Sequence, residues 1–145
     1  MAYAEHLREE PPLVYETDTV GDAMSRGVIG CPPETPLRVV AQMMATHGVH
    51  AIFVFDADDE VPRFWAVVSD LDLVAAAQLD LDTLTAGETA VTPLVSVAAG
   101  SSIAEAGGLM AQYGTAHLAV TEPASRRPIG VISTLDIARA VAAPG

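Results

Sequence analysis

Apolar residues recur at spacings of three and four in two places, at Leu37, Val40, Ala41 and Met44 and again at Ile103, Ala106, Gly107 and Met110. That rhythm predicts two amphipathic helices. Thr35-Pro36 and Ser101-Ser102 precede them as start signals, and Gly48 and Gly114 follow as stops. Beyond each glycine the pattern changes. Ala51–Phe55 and Phe64–Val68 are nearly continuous apolar runs, and so are His117–Thr121 and Ile129–Ile132. Such runs predict strands buried on both faces. Leu71–Leu79 and Leu135–Val141 predict a closing helix in each series. Short apolar pieces near Val28-Ile29 and Leu94–Val97 predict a leading strand. Each series therefore reads β-α-β-β-α.

The two series are copies of one unit. Val20-Gly21-Asp22-Ala23-Met24 aligns with Ala86-Gly87-Glu88-Thr89-Ala90, and the same offset of 66 carries Leu37 onto Ile103, Met44 onto Met110, Gly48 onto Gly114 and Val54 onto Val120. The second copy is then two residues shorter, so Ser69 and Asp72 fall on Ser133 and Asp136 at an offset of 64. The lost pair lies in the polar stretch around Asp56–Pro62, where a loop tolerates a change of length. A unit of this size has a small core, so two are expected to pack together as a pseudo-two-fold pair. The fold class is α/β in the mixed, α+β sense. Residues 18–80 form the first copy, residues 81–145 the second, and residues 1–17 an arm or short helix broken by Pro11-Pro12.

Composition narrows the possible roles. Of 145 residues, 50% are hydrophobic and 18% charged, a folded composition. No apolar run approaches the roughly 18 residues of a membrane span. Met1–Glu10 carries His6, Arg8 and three acids and lacks the apolar stretch of a secretory signal, so a cytoplasmic location is expected. Nineteen acids stand against seven arginines, with no lysine, for a net charge of −12. That charge repels nucleic acid and anionic lipid, which argues against both as partners. An anionic ligand would have to be held locally, by helix N-termini, hydroxyls and the few arginines. In the middle of the chain those are Arg26, Arg38, Arg63 and Arg126-Arg127.

The repeated motifs resemble the CBS-domain pair, also called a Bateman module. Val20-x-Asp22-x-Met24-Ser25 is similar to the family's opening motif, and Thr35-Pro36-Leu37 with Met43-Met44 and His47-Gly48-Val49 to its first helix and turn. Gly130-Val131-Ile132-Ser133-Thr134-Leu135-Asp136 matches the family's ligand signature at every position. Ala66-Val67-Val68-Ser69-Asp70-Leu71-Asp72 matches it with Ala66 in place of the glycine. The resemblance spans residues 18–143. It implies a regulatory, non-catalytic module with an adenine nucleotide or related adenosyl ligand in the cleft between the copies, and no obligatory cofactor. By position it implicates Asp72 and Asp136 for ribose hydroxyls, and Ser69 and Ser133 for phosphate. The base would lie near Ile29 and His50-Ala51-Ile52 in one site, and near Val95 and Ala116-His117-Leu118 in the other. A carboxylate can accept from both ribose hydroxyls, and a serine at a strand-to-helix junction sits where free N–H groups favour a phosphate.

Simpler roles compete for several of these residues. Ser69-x-x-Asp72 and Ser133-x-x-Asp136 read equally as helix capping boxes, and capping and ligand contact can coexist. His47, His50 and His117 lack a carboxylate cluster at metal-ligand spacing and read as turn or core-edge residues. Asp56–Glu60 lacks the glycine and closing ligand of a calcium loop and reads as a solvated hairpin. The methionines read as core filler. Cys31, the single cysteine, has no neighbouring base and reads as a packed thiol. No serine has a base placed by motif to activate it. Ala66 and the scarcity of positive charge favour the copy carrying Ser133 and Asp136, and a mono- or diphosphate over a triphosphate. The alternative is a ligand-free interaction or dimerisation module with degenerate sites. In either case a homodimer and an unidentified effector protein are the expected partners.

Overall fold

The computed structural model describes residues 18–56, 63–90, 92–125 and 127–142. The arm or short helix expected over residues 1–17, and the hairpin tip at residues 57–62, lie outside them. In chain order the elements are α1 (Val20–Ala23), β1 (Ser25–Arg26), β2 (Gly30–Cys31), α2 (Leu37–His47), β3 (Ala51–Asp56), β4 (Arg63–Ser69), α3 (Asp70–Ala76), α4 (Ala86–Thr89), β5 (Thr92–Pro93), β6 (Ser96–Ala98), α5 (Ile103–Tyr113), β7 (His117–Thr121), β8 (Pro128–Ser133) and α6 (Thr134–Ala142). The β-α-β-β-α order is present twice, as β2-α2-β3-β4-α3 and β6-α5-β7-β8-α6. A mixed α+β fold results. The leading strands fall at Gly30–Cys31 and Ser96–Ala98, at or just beyond the apolar pieces that suggested them.

The helical rhythm becomes burial. Leu37, Val40 and Met44 face inward from α2, and Ile103, Ala106 and Met110 do so from α5, at the same repeat positions. Both helices end on a glycine in the left-handed region, Gly48 at φ 65° and Gly114 at φ 62°. Their N–H groups close on the Met44 and Met110 carbonyls. An L side chain is strained at such a φ, so glycine is the natural stop. The N-termini differ. Ser102 caps α5 by accepting from the Glu105 N–H at 3.1 Å. Pro36 stands at the N-cap of α2 with no side-chain bond, so Thr35 is not the cap its position suggests. An isolated antiparallel bridge from Pro36 to Thr85 keeps that segment extended.

Two compact units emerge, one of residues 26–96 and one of residues up to 25 with residues 97–145. The first holds the sheet β2-β3-β4-β5. There β2 runs parallel to β3, and β4 antiparallel to both β3 and β5. Its core contains Leu37, Val40, Ile52, Val54, Val68 and the thiol of Cys31. The second sheet has the order β1-β8-β7-β6, with β7 and β8 antiparallel. Ile103, Leu118, Val120 and Ile132 are fully buried there, and Val97 fills the repeat position of Cys31. Each short leading helix docks in the unit of the other copy. The N–H groups of Val20 and Gly21 donate to the Ser101 and Ala99 carbonyls, both at 2.8 Å. Those of Ala86 and Gly87 donate to the Thr35 and Pro33 carbonyls, again at 2.8 Å. The bonds are related by the repeat offset. No helix among the described residues is long and apolar enough to cross a membrane.

Candidate functional site

The strand-to-helix junctions carry the same device in both copies. At the β8–α6 junction the Ser133 N–H and Oγ both donate to Asp136 Oδ2, at 2.8 and 3.0 Å, and the Asp136 N–H donates back to Ser133 Oγ at 3.2 Å. At the β4–α3 junction the Ser69 N–H and Oγ donate to Asp72 Oδ2 at 2.8 and 3.1 Å, and the Asp72 N–H returns a bond of 3.2 Å. These are complete capping boxes, which satisfy N–H groups that a helix start leaves unpaired. Each leaves one carboxylate oxygen outside the box.

Around Asp136 that remaining oxygen has chemistry to work with. A cavity of about 420 Å³ opens beside it, lined by Asp18, Asp22, Met24, Ser25 and Arg139 together with two alanines. Asp136 Oδ1 stands 4.0 Å from Arg139 Nη1, one helical turn on, and only 11% of the Asp136 side chain is exposed. Gly130 explains how Ser25 gets there. A Cβ at Gly130 would lie 2.5 Å from the Ser25 carbonyl oxygen and 2.8 Å from the Met24 sulfur. Only a residue without a side chain lets β1 come so close to β8. Asp22 is fixed at the cavity wall by Thr19, whose N–H and hydroxyl reach its Oδ2 at 3.2 and 2.9 Å. Those bonds, the backbone one foremost, hold its carboxyl below the usual carboxylate range, so it stays ionised.

The residues singled out by sequence fall into two groups. Ser69, Asp72, Ala51, Ile52, His50 and Ile29 lie in the unit of residues 26–96, where Ala51 sits opposite Ser69 in the β3–β4 register. The Ile29 carbonyl accepts from the Phe53 N–H. His50 is exposed, with Nδ1 2.9 Å from Asp70 Oδ2. Ser133, Asp136, Ala116, His117 and Leu118 lie in the other unit, where His117 sits opposite Ser133. Ile52 and Leu118 are fully buried and Ala51 nearly so, which leaves backbone rather than side chains for a ligand to meet. Val95 lies in the link between β5 and β6 and is partly buried. Of the arginines weighed as phosphate partners, Arg38 is committed to a bidentate pair with Asp82. Arg139 and Ser25 were missed as site residues. The i,i+3 spacing of Arg139 from Asp136 on a predicted helix was the available signal. Ser25 needed the contact across β1 and β8, which no local pattern contains.

The chain belongs to the CBS-domain family, whose domain matches residues 20–78 and 86–143. It is 32% identical over 124 residues to hypoxic response protein 1 of Mycobacterium tuberculosis, covering 83% of each chain. A crystal structure of hypoxic response protein I with two coordinated zinc ions superposes with a TM-score of 0.65 at 32% identity, over 85% of this chain and 98% of that one. A CBS-domain protein of Pyrobaculum aerophilum complexed with AMP superposes with a TM-score of 0.70 at 25% identity, over 81% of this chain and 88% of that one. Among the described residues here, no three His, Cys, Asp or Glu side chains come together as a metal site.

Proposed function

We propose that this protein is a nucleotide-sensing regulatory module without catalytic activity, binding an adenine nucleotide or related adenosyl ligand and signalling to a partner. The observation that carries the reading is the free oxygen of Asp136 on a cavity shared with Ser25 and Arg139. A carboxylate for the ribose hydroxyls, a hydroxyl and a guanidinium are the groups a nucleoside phosphate needs. The AMP complex of the Pyrobaculum relative supports the ligand class. Binding signals only if the ligand favours one of two states, so the output falls to an effector protein or to the oligomer.

The test is a thermal-shift panel of AMP, ADP, ATP, S-adenosylmethionine and GTP, repeated with Asp136→Asn. Asparagine keeps an oxygen for the capping box while removing the charge that holds ribose. A ligand at about a hundred times its dissociation constant adds roughly 2.7 kcal/mol to the folded state. In a chain of this size that raises the melting temperature by about 5–10 °C. Selective stabilisation by adenine compounds, lost in Asp136→Asn, is the expected result. An equal shift in the variant would overturn the assignment of Asp136.

A second reading, a ligand-free interaction module, draws on the exposed apolar residues of α3 and its exit. Leu71 is 72% exposed, Val74 70% and Leu79 61%. A homodimer would cover such residues, and light scattering of the purified chain measures it. No response to any adenine compound, with a stable dimer, would favour this reading.

A further inference from the structure

The two copies differ where the ligand would meet charge. In repeat position, Arg139 corresponds to Ala75, Ser25 to Val91 and Gly130 to Ala66. The cavity beside Asp136 therefore has a guanidinium, a hydroxyl and a glycine that admits β1. In the other copy the described positions, Ala75 and Ala66, supply two methyl groups, and Val91 lies outside the described residues. Ala66 is 2% exposed, its methyl built into the core of its unit.

Carboxylates outnumber that guanidinium, since Asp18, Asp22 and Asp136 line the cavity with Arg139. Two of the three are already engaged. Asp22 Oδ2 accepts from Thr19, and Asp136 Oδ2 accepts twice from Ser133. Arg139 pairs with Asp136 only at 4.0 Å, beyond hydrogen-bond length, and 71% of its side chain is exposed. Its donors are available for a bidentate bond to a phosphate. One guanidinium offsets about half the charge of a phosphate monoester. A second and third phosphate would face Asp18 and Asp22, and among the described residues lining the cavity Arg139 is the one cation.

We infer that the chain takes one phosphorylated adenosyl ligand, a nucleoside monophosphate, in the Asp136 cavity, and that Arg139 is the residue that reads its charge. The inference rests on the nucleotide-binding reading above and adds stoichiometry and charge selection. Isothermal titration of the full chain with adenosine, AMP and ATP tests it, on wild type, Arg139→Ala and Asp72→Asn. The expected result is one AMP per chain, with ATP at least tenfold weaker. Arg139→Ala should weaken AMP tenfold or more while changing adenosine less than threefold. Asp72→Asn, which keeps its capping oxygen, should leave AMP binding unchanged. Two AMP per chain, equal binding of ATP, or an Arg139→Ala loss shared equally by adenosine would overturn the inference while leaving nucleotide binding intact. Silence with all three compounds would overturn both readings at once.

Discussion

The Ser69–Asp72 and Ser133–Asp136 junctions are one capping box made twice, with bonds of 2.8, 3.1 and 3.2 Å in the first and 2.8, 3.0 and 3.2 Å in the second. Their surroundings are not alike. Asp136 shares a cavity with Ser25 and Arg139, and by the repeat offset Arg139 corresponds to Ala75 in the other copy. The box is therefore a requirement of the fold, since it starts a helix whether or not a ligand is near. On the proposed reading, ligand chemistry comes from the residues around it, and these differ between the copies. The same signature then serves both purposes at Asp136 and, on that reading, capping alone at Asp72.

The sharpest challenge to that comparison is to ask whether the copies are equal in what they share. Leu37 and Ile103 occupy the same repeat position, each at 0% exposure. Replacing either by alanine removes buried methyl groups and leaves a cavity, at a cost of about 2–5 kcal/mol. Leu37→Ala and Ile103→Ala should each cost an amount in that range in denaturant unfolding. A variant costing less than about 1 kcal/mol would mean that its copy packs more loosely than its burial implies.

Such pairs were legible because burial follows local rhythm. Leu37, Val40 and Met44 announce an inward face, and both glycine stops sit where the apolar spacing ends. The capping boxes were legible for the same reason, being contained in four consecutive residues. What was not legible depends on partners distant in sequence. Pro36 takes the N-cap and bridges to Thr85, about fifty residues on. Val20 and Gly21 bond to Ser101 and Ala99, so each short leading helix serves the other copy's unit. The two-residue strand β1 has too little length to declare itself, and Ser25 reaches the site only through it.

A smaller effect tests the glycine that separates the copies. Gly130→Ala puts a methyl 2.5 Å from the Ser25 carbonyl, so β1 must move. Overpacking of this kind costs about 1–3 kcal/mol. Because Ser25 is displaced from the cavity, ligand affinity should fall along with stability. Ala66→Gly is the reciprocal change and should cost about 1–2 kcal/mol, through added chain freedom and the loss of a buried methyl. Thermal melts with and without AMP separate the two effects. A neutral Gly130→Ala that binds AMP normally would remove the glycine from the account of why the copies differ.

The smallest expected effect concerns Asp22, at the cavity wall of the second copy's site. Its carboxyl is held below the ordinary value of 3.8 by the Thr19 N–H and then by the Thr19 hydroxyl. A carboxyl whose folded value is depressed adds stability that is fully present above the unfolded value and is lost as pH falls through the folded one. The window therefore lies below pH 3.8, and no change is expected near neutrality. Carboxyl-detected NMR titration should place the Asp22 midpoint below that value, and Thr19→Ala, which removes the hydroxyl but keeps the N–H, should return it part of the way. A midpoint unmoved by Thr19→Ala would leave the backbone N–H as the whole cause. In the corresponding box the Thr85 hydroxyl donates to Glu88 at 2.8 Å. If Thr19→Ala also weakens AMP binding while Thr85→Ala does not, Asp22 acts on the ligand as well as on the helix, and the difference between the copies extends to that wall.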